Sequence, residues 1–334
     1  MKTLCFLVLT ALTLVTQAGR TAPSPHLFAA AAMTKAQKNS SIPTDSGVFL
    51  RTDDGEWVAF GPKIQAVSSA TVDPSNPQII FLACGNGIIR SRDGGVSWRL
   101  VTGWKVSDVT AIVIDPIDGN RVYASTGWGL WKSDDGGDTW NPADNGLTET
   151  FSKTLVLDAI QPERLLAGTA GGLYVSNDRA ETWTRITDVP PTHILRLRRG
   201  VADPKVWLAV TEGHGAWISH DDGATWASTA SSLAEANLYG AAVDPTDSLH
   251  LAVAGWGVGT WVSTDGGSTW IDRTAGLPTP NVFSLTFDPT RPNRLWSSTF
   301  EEGTFYSDDF GKTWNDGGLE GALVNDSGFI NLDP

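Results

Sequence analysis

One eight-residue phrase limits this chain more than any other feature. Ser-x-Asp-x-Gly-x-Thr-Trp, or a near copy, begins at Ser91, Ser133, Ser176, Ser219, Ser263 and Ser307, at intervals of 42, 43, 43, 44 and 44 residues. A repeat of that length, with short apolar runs between its marks, predicts one four-stranded sheet per repeat in a radial array. In one unit, residues 109–115 (VTAIVID), 121–126 (RVYAST), 130–133 and 139–142 read as strands A, B, C and D of an antiparallel meander. The runs are rich in Val, Ile, Thr, Tyr and Trp, and Gly, Pro, Asp or Asn bounds each one, which favours strands over helices.

The phrase falls on the C–D turn. Asp and Ser side chains there can bond nearby backbone amides, Gly supplies angles that other residues resist, and Trp is driven inward. Each buried Trp removes about 150–250 Å² from water, worth roughly 4–6 kcal/mol before entropy is subtracted. Seven of the fifteen Trp are such anchors: Trp98, Trp140, Trp183, Trp226, Trp270, Trp314, and Trp57 in a shortened copy beginning at Thr52. Upstream of that copy, residues 26–32 (HLFAAAA) match the B-strand slot of 294–299. At the far end, residues 328–334 (GFINLDP) match the A-strand slot of 283–289 (FSLTFDP). The chain thus opens on strands B, C and D and closes on A. The expected fold is all-β: a seven-bladed β-propeller of four-stranded antiparallel blades, its ring closed by one blade shared between the termini, which removes the two exposed edges an open array would leave.

Residues 1–18 carry Lys2, an apolar run from Leu4 to Val15, and small residues before Ala18, the pattern of a secretory leader too short for a permanent membrane span. The expected organisation is a signal peptide over 1–18, a short segment over 19–24, and one propeller over 25–334. The mature protein is expected to be secreted (extracellular or periplasmic), monomeric and not inserted in membrane. Cys5 leaves with the leader, so Cys84 stands alone and no internal disulfide forms. The net charge of -13 argues against nucleic acid as a partner.

The box, the Asp-Pro that ends strand A (Asp73-Pro74, Asp115-Pro116, Asp244-Pro245, Asp288-Pro289, Asp333-Pro334) and the Gly-Trp-Gly before strand C resemble the Asp-box, or BNR-repeat, propellers over nearly all of the mature chain. The repeats are most similar to those of xyloglucanase-type glycoside hydrolases and sortilin-type receptors, and more distantly to photosystem II assembly factors and sialidases. Two departures stand out. Box three has Ala180 where Gly is expected, at about 1 kcal/mol if the turn needs positive φ. Asp-Pro becomes Asp158-Ala159 in the third unit and is lost near Arg198-Arg199-Gly200 in the fourth.

In an antiparallel blade the A–B and C–D turns share one face, so the repeated aspartates are expected to be scaffold, with any site on the opposite mouth. One slot in the B–C loops there changes chemistry from unit to unit, as Asn86, Trp128, His214, Trp256 and Glu301. Trp104, Trp128 and Trp256 are the candidate stacking residues, joined by His214 and Phe300. Along the inner strands, the slot two before the closing Asp reads Thr71, Val113, Val156, Ala242, Thr286 and Asn331, with Arg196 expected in the fourth unit. A guanidinium there suits a carboxylate or phosphate, or an internal acid. Glycosidic catalysis needs two carboxylates flanking a bond, for which Glu212, Glu301 and Glu302 are the candidates. The resemblance implies more for an enzyme: an acid from each of two propellers in xyloglucanases, or three arginines with a Tyr/Glu pair in sialidases. This sequence shows neither set, and no metal or cofactor motif. The expectation is therefore a non-catalytic propeller binding a polysaccharide, peptide or protein on the B–C face; the alternative is a glycoside hydrolase using carboxylates of the same face.

Overall fold

The computed structural model describes residues 25–32, 46–229 and 232–332; the leader over 1–18, the 19–24 segment and Asp333-Pro334 lie outside the described residues. Those described form seven four-stranded antiparallel sheets, and every regular element among them is a strand. Blades one to six follow in chain order, with inner A strands Val67–Asp73, Val109–Ile114, Ser152–Leu157, Ile194–Arg199, Leu238–Val243 and Val282–Phe287. The seventh orders its strands Leu323–Ile330, His26–Ala32, Gly47–Arg51 and Trp57–Phe60, so head and tail knit one sheet. Neighbouring inner strands touch all the way round the ring.

The tail strand sits differently from the sequence match. Leu27 pairs with Phe329, three residues earlier than an alignment on Asp333-Pro334 requires, and Asn331 falls beyond the strand. The earlier register buries Val324 against Ala29 and Ala31, and brings Ile330 into the cluster of Phe28, Val67 and Leu82. A second shift affects the fourth unit. Arg199 pairs with Trp207 at the strand end, so Arg198, not Arg196, takes the slot of Thr71 and Thr286, and Arg196 takes that of Ser284 and Asp326. Gly200 stands where the other blades have their closing Asp, and Arg199, the last residue of the strand, bonds Asp158, the closing Asp of the third blade, through its guanidinium.

Apolar side chains fill the spaces between blades: Phe81 and Ala83 of blade one pack on Ile112 and Ile114 of blade two. The boxes pin the outer corners. In box two the Ser133 hydroxyl donates to Asp135 Oδ1 at 2.8 Å and accepts from Gly137 N at 2.8 Å. Asp135 also accepts from Thr139 N at 2.8 Å and from the Thr139 hydroxyl at 2.6 Å, and Trp140 Nε1 donates to Gly137 O. Box turns bond the A–B turns of their own blades, as Gly136 N does to Asn120 O and Phe310 N to Asn293 O, which fixes boxes and A–B turns on one face. Both central residues of the turn are left-handed: Gly136 and Gly137 at φ 69° and 85°, Arg179 and Ala180 at 60° and 64°. The predicted strain at Ala180 is therefore present, and its neighbour shares it.

Each inner strand carries one extra residue near its start. The ladder skips Ser68, Thr110, Lys153, Leu195, Tyr239, Phe283 and Asn325 in the seven blades. Such bulges re-aim side chains at sheet rims. Here they place one residue per blade at the head of the inner wall, below the B–C loops.

Candidate functional site

The B–C loops bond the segments that lead into the inner strands: Gly127 N to Asp108 O, Glu212 N to His193 O and Phe300 N to Asn281 O. These contacts gather the variable loops and the bulged residues on one mouth, away from the boxes.

Blades five and six supply an aromatic cluster to that mouth. Phe283 lies between Tyr239 (ring centroids 5.1 Å apart) and Phe300 (5.6 Å). Trp256 meets Phe300 edge-on at 4.9 Å and Phe283 at 6.0 Å. Trp256 remains 47% exposed, so the cluster is propped from beneath and open above. Tyr239 and Phe283 are bulge residues, the part of the site that loop reading misses. Their signal was nonetheless present: the second position of strand A varies from Ser to Lys to Phe as freely as the loop slot does.

Trp128, 66% exposed, donates Nε1 to Asp108 at 3.0 Å, which holds its ring on the blade-two sector of the mouth. Across the next loops, Phe151 stacks edge-on against His193 at 5.0 Å, and His193 Nδ1 lies 3.6 Å from Glu212. Burial pushes the His193 pKa down and the Lys153 ammonium adds to that, with Glu212 opposing. His214 is exposed, and its carbonyl accepts from Trp217 Nε1 at 3.0 Å. Glu301 and Glu302 share the loop after Phe300, with Glu301 in left-handed backbone at φ 62°. Glu212 thus belongs to blade four and already faces a histidine, while Glu301 and Glu302 belong to blade six.

Trp104 stands apart. It is 86% exposed on the connection between blades one and two, in a groove lined by Trp131, Trp140 and the box residue Asp138, so it leans along the side of the ring. Trp207 and Trp296 on strand B are buried in the core, and Trp261 packs half-buried against it.

Arg196 crosses the channel. Its Nη1 lies 3.1 Å from Asp326 Oδ1 on the shared blade, with two whole blades between them on the shorter way round. Arg198 Nη2 lies 3.8 Å from the same oxygen, and Ser284 donates its hydroxyl to it at 3.3 Å. The acid that answers Arg196 thus comes from the tail, where the three-residue shift places it.

Fold and repeat define a seven-bladed Asp-box β-propeller. Residues 214–319 match the family model described as sortilin, neurotensin receptor 3. Among solved structures, the GH74 enzyme of Niastella koreensis superposes with a TM-score of 0.68 at 20% identity, over 88% of this chain and 54% of its own. The GH74 xyloglucanase of Xanthomonas campestris gives 0.60 at 18%, over 91% and 55%, and YCF48 bound to a D1 peptide gives 0.58 at 20%, over 79% and 85%. The chain spans about half the length of these two GH74 structures. No curated protein matches the sequence. At these identities the likeness carries the fold alone.

Proposed function

We propose that this is an exported, non-catalytic binding propeller whose B–C mouth takes a polysaccharide, peptide or protein segment with flat apolar faces. The observation that carries this reading is the Tyr239, Trp256, Phe283 and Phe300 cluster, braced by bulged inner strands and open to solvent. Rings held this rigidly offer contact area at little conformational cost, which suits stacking on sugar faces or anchoring apolar side chains. The structural relatives whose titles name a xyloglucanase and a peptide complex are consistent with both ligand classes. On the same face, Glu212 is engaged by His193, which suits a positioning contact better than a free catalytic acid.

Glycan and peptide arrays probed with the mature protein test the proposal. Binding should fall about tenfold or more in Trp256→Ala and Phe300→Ala, the usual cost of losing an anchor ring, and persist in Glu212→Gln and Glu301→Gln. Turnover of β-glucans or aryl glycosides that disappears in either Gln variant would overturn it in favour of a glycoside hydrolase.

A further inference from the structure

The connection from blade one to blade two is built differently from two of its counterparts, and the difference opens a groove on the side of the ring. Val101 N, Ala143 N and Arg273 N bond the C strands of blades one, two and five at Ile88 O, Leu130 O and Thr260 O, which aligns the three connections. Counted from there, Trp104 stands in the slot of Gly146 and Gly276, whose backbones are left-handed at φ 100° and 96°. In blades three and six the connection closes on the next box: Trp183 Nε1 donates to Ala143 O at 2.8 Å and Trp314 Nε1 to Arg273 O at 2.7 Å. A Cβ at Gly146 would collide with the Trp183 carbonyl, so a tryptophan in that slot keeps the connection off the box. The turn accordingly starts one residue later, Val106 N bonding Gly103 O where Leu147 N bonds Asp144 O and Leu277 N bonds Thr274 O. Trp140 keeps its Nε1 on its own Gly137 O at 3.2 Å.

The space left between connection and box is a groove of about 280 Å³, and Trp104, Trp131, Trp140, Thr102, Lys105 and Asp138 all line it. Folding makes no use of the Trp104 ring. Val106 is the apolar residue that this turn sends into the core, as Leu147 and Leu277 are in theirs, and Trp104 stays 86% exposed. Trp131 also departs from its counterparts. At the same C-strand position Trp217 and Trp261 tie Nε1 to His214 O and Val258 O at 3.0 Å, whereas Trp131 Nε1 has no partner among the described residues and its ring lines the groove. Asp138 is steadied by Arg90 Nη2 at 2.7 Å and Arg92 Nη2 at 3.0 Å, and its side chain is still half exposed. The Lys105 ammonium lies 6.0 Å from the Trp104 ring centroid.

We propose that this groove is a second ligand site, a subsite for one pyranose ring of a neutral glycan stacked on Trp104, with its hydroxyls donating to Asp138 and accepting from Lys105. The lining carries one cation and one anion, so it presents no net charge to an ionic partner. Three indoles supply flat apolar faces with polar edges, which match a sugar's C–H face and its rim of hydroxyls. An aliphatic side chain in their place would cover Asp138 and Lys105 without bonding them, at a desolvation cost that a sugar avoids. The volume lies just below the range of about 300–1,000 Å³ usual for small-molecule pockets, which suits one ring and not a folded segment. This site lies off the B–C mouth and does not depend on what the mouth binds.

Titration of the mature protein with cellohexaose, xylohexaose, mannohexaose and hexagalacturonic acid tests it, followed by calorimetry and by the indole N–H signals of protein labelled with ¹⁵N-tryptophan. The measurements are made in the parent and in Trp256→Ala, where binding at the mouth is weakened, so that failure of the mouth and failure of the groove are read separately. At least one neutral hexasaccharide should shift the Trp104 signal saturably in both backgrounds. In the Trp256→Ala background its affinity should fall about tenfold or more when Trp104→Ala is added, and less when Trp104→Tyr is added. No saturable shift with any neutral probe, an affinity unchanged by Trp104→Ala, or tightest binding of hexagalacturonic acid overturns the proposal. A light-scattering mass that rises with concentration in the parent but not in Trp104→Ala would assign the groove to a second copy of the chain and overturn it as well. Because the ring is 86% exposed, Trp104→Ala should keep the parent melting curve.

Discussion

Replacing Asp326 by Asn should destabilise the ring far more than replacing its partner. The Arg196–Asp326 pair is 3.1 Å long with side chains only 16% and 9% exposed. At an effective dielectric of about 20 the gross attraction is about 5 kcal/mol, most of it offset by desolvation. Removing the acid leaves Arg196 and Arg198 unanswered in one channel, the situation that costs about 3–5 kcal/mol. Arg196→Met is milder, because Arg198 already lies 3.8 Å from the same carboxylate and can close on it; a loss of about 1–2 kcal/mol is expected there. The double variant Arg196→Met/Asp326→Asn should be more stable than Asp326→Asn alone, since the uncompensated guanidinium is gone. Urea unfolding followed by tryptophan fluorescence measures all three. Equal single losses, or a double loss equal to their sum within about 0.5 kcal/mol, would show that the pair is not coupled and that the channel charge reasoning is wrong.

Truncation after Ala322 removes Val324, Ile330 and the whole A strand of the shared blade, and should lower Tm by about 10 °C or more or abolish soluble folding; an unchanged melting curve contradicts the closure. The carboxyls of Asp93, Asp135, Asp221 and Asp265 are held down to about 2, chiefly by hydroxyl donation from Ser97, Thr139, Thr225 and Thr269. The unfolded chain takes up these protons below about pH 4, so the stabilisation is complete above that pH and is lost as pH falls toward 2; acid titration by circular dichroism should show no loss of the boxes' contribution above pH ~4. Burial pushes the Cys84 thiol up to about 12, so Ellman's reagent should leave it unlabelled in the native protein and label it in urea; rapid native labelling would contradict its burial.

The blade count, the shared seventh sheet and the scaffold role of the boxes were legible because each rests on a repeat that turn chemistry enforces. Register was less so. Asp333-Pro334 imitates the strand-ending pair of the other blades, and only the burial of Val324 and Ile330 moves the tail by three residues. Arg198 was hidden for a related reason, since the fourth inner strand lacks the Asp-Pro that marks its end. Loop reading singled out Trp256 and Phe300 but passed over Tyr239 and Phe283, whose rings the structure sets beside them, because a bulge redirects a residue that simple alternation assigns to a strand face. The partnership of Arg196 with Asp326 joins positions 130 residues apart and needs the closed ring to appear.

The recurring extra residue has an evolutionary meaning. Because it stands outside the ladder in every blade, each of the seven positions can change from Ser to Lys to Phe while the pairing around it is kept. One half of the rim can therefore become aromatic and another cationic by single-codon steps, with no sheet rebuilt, so relatives sharing this skeleton are free to diverge in what they hold.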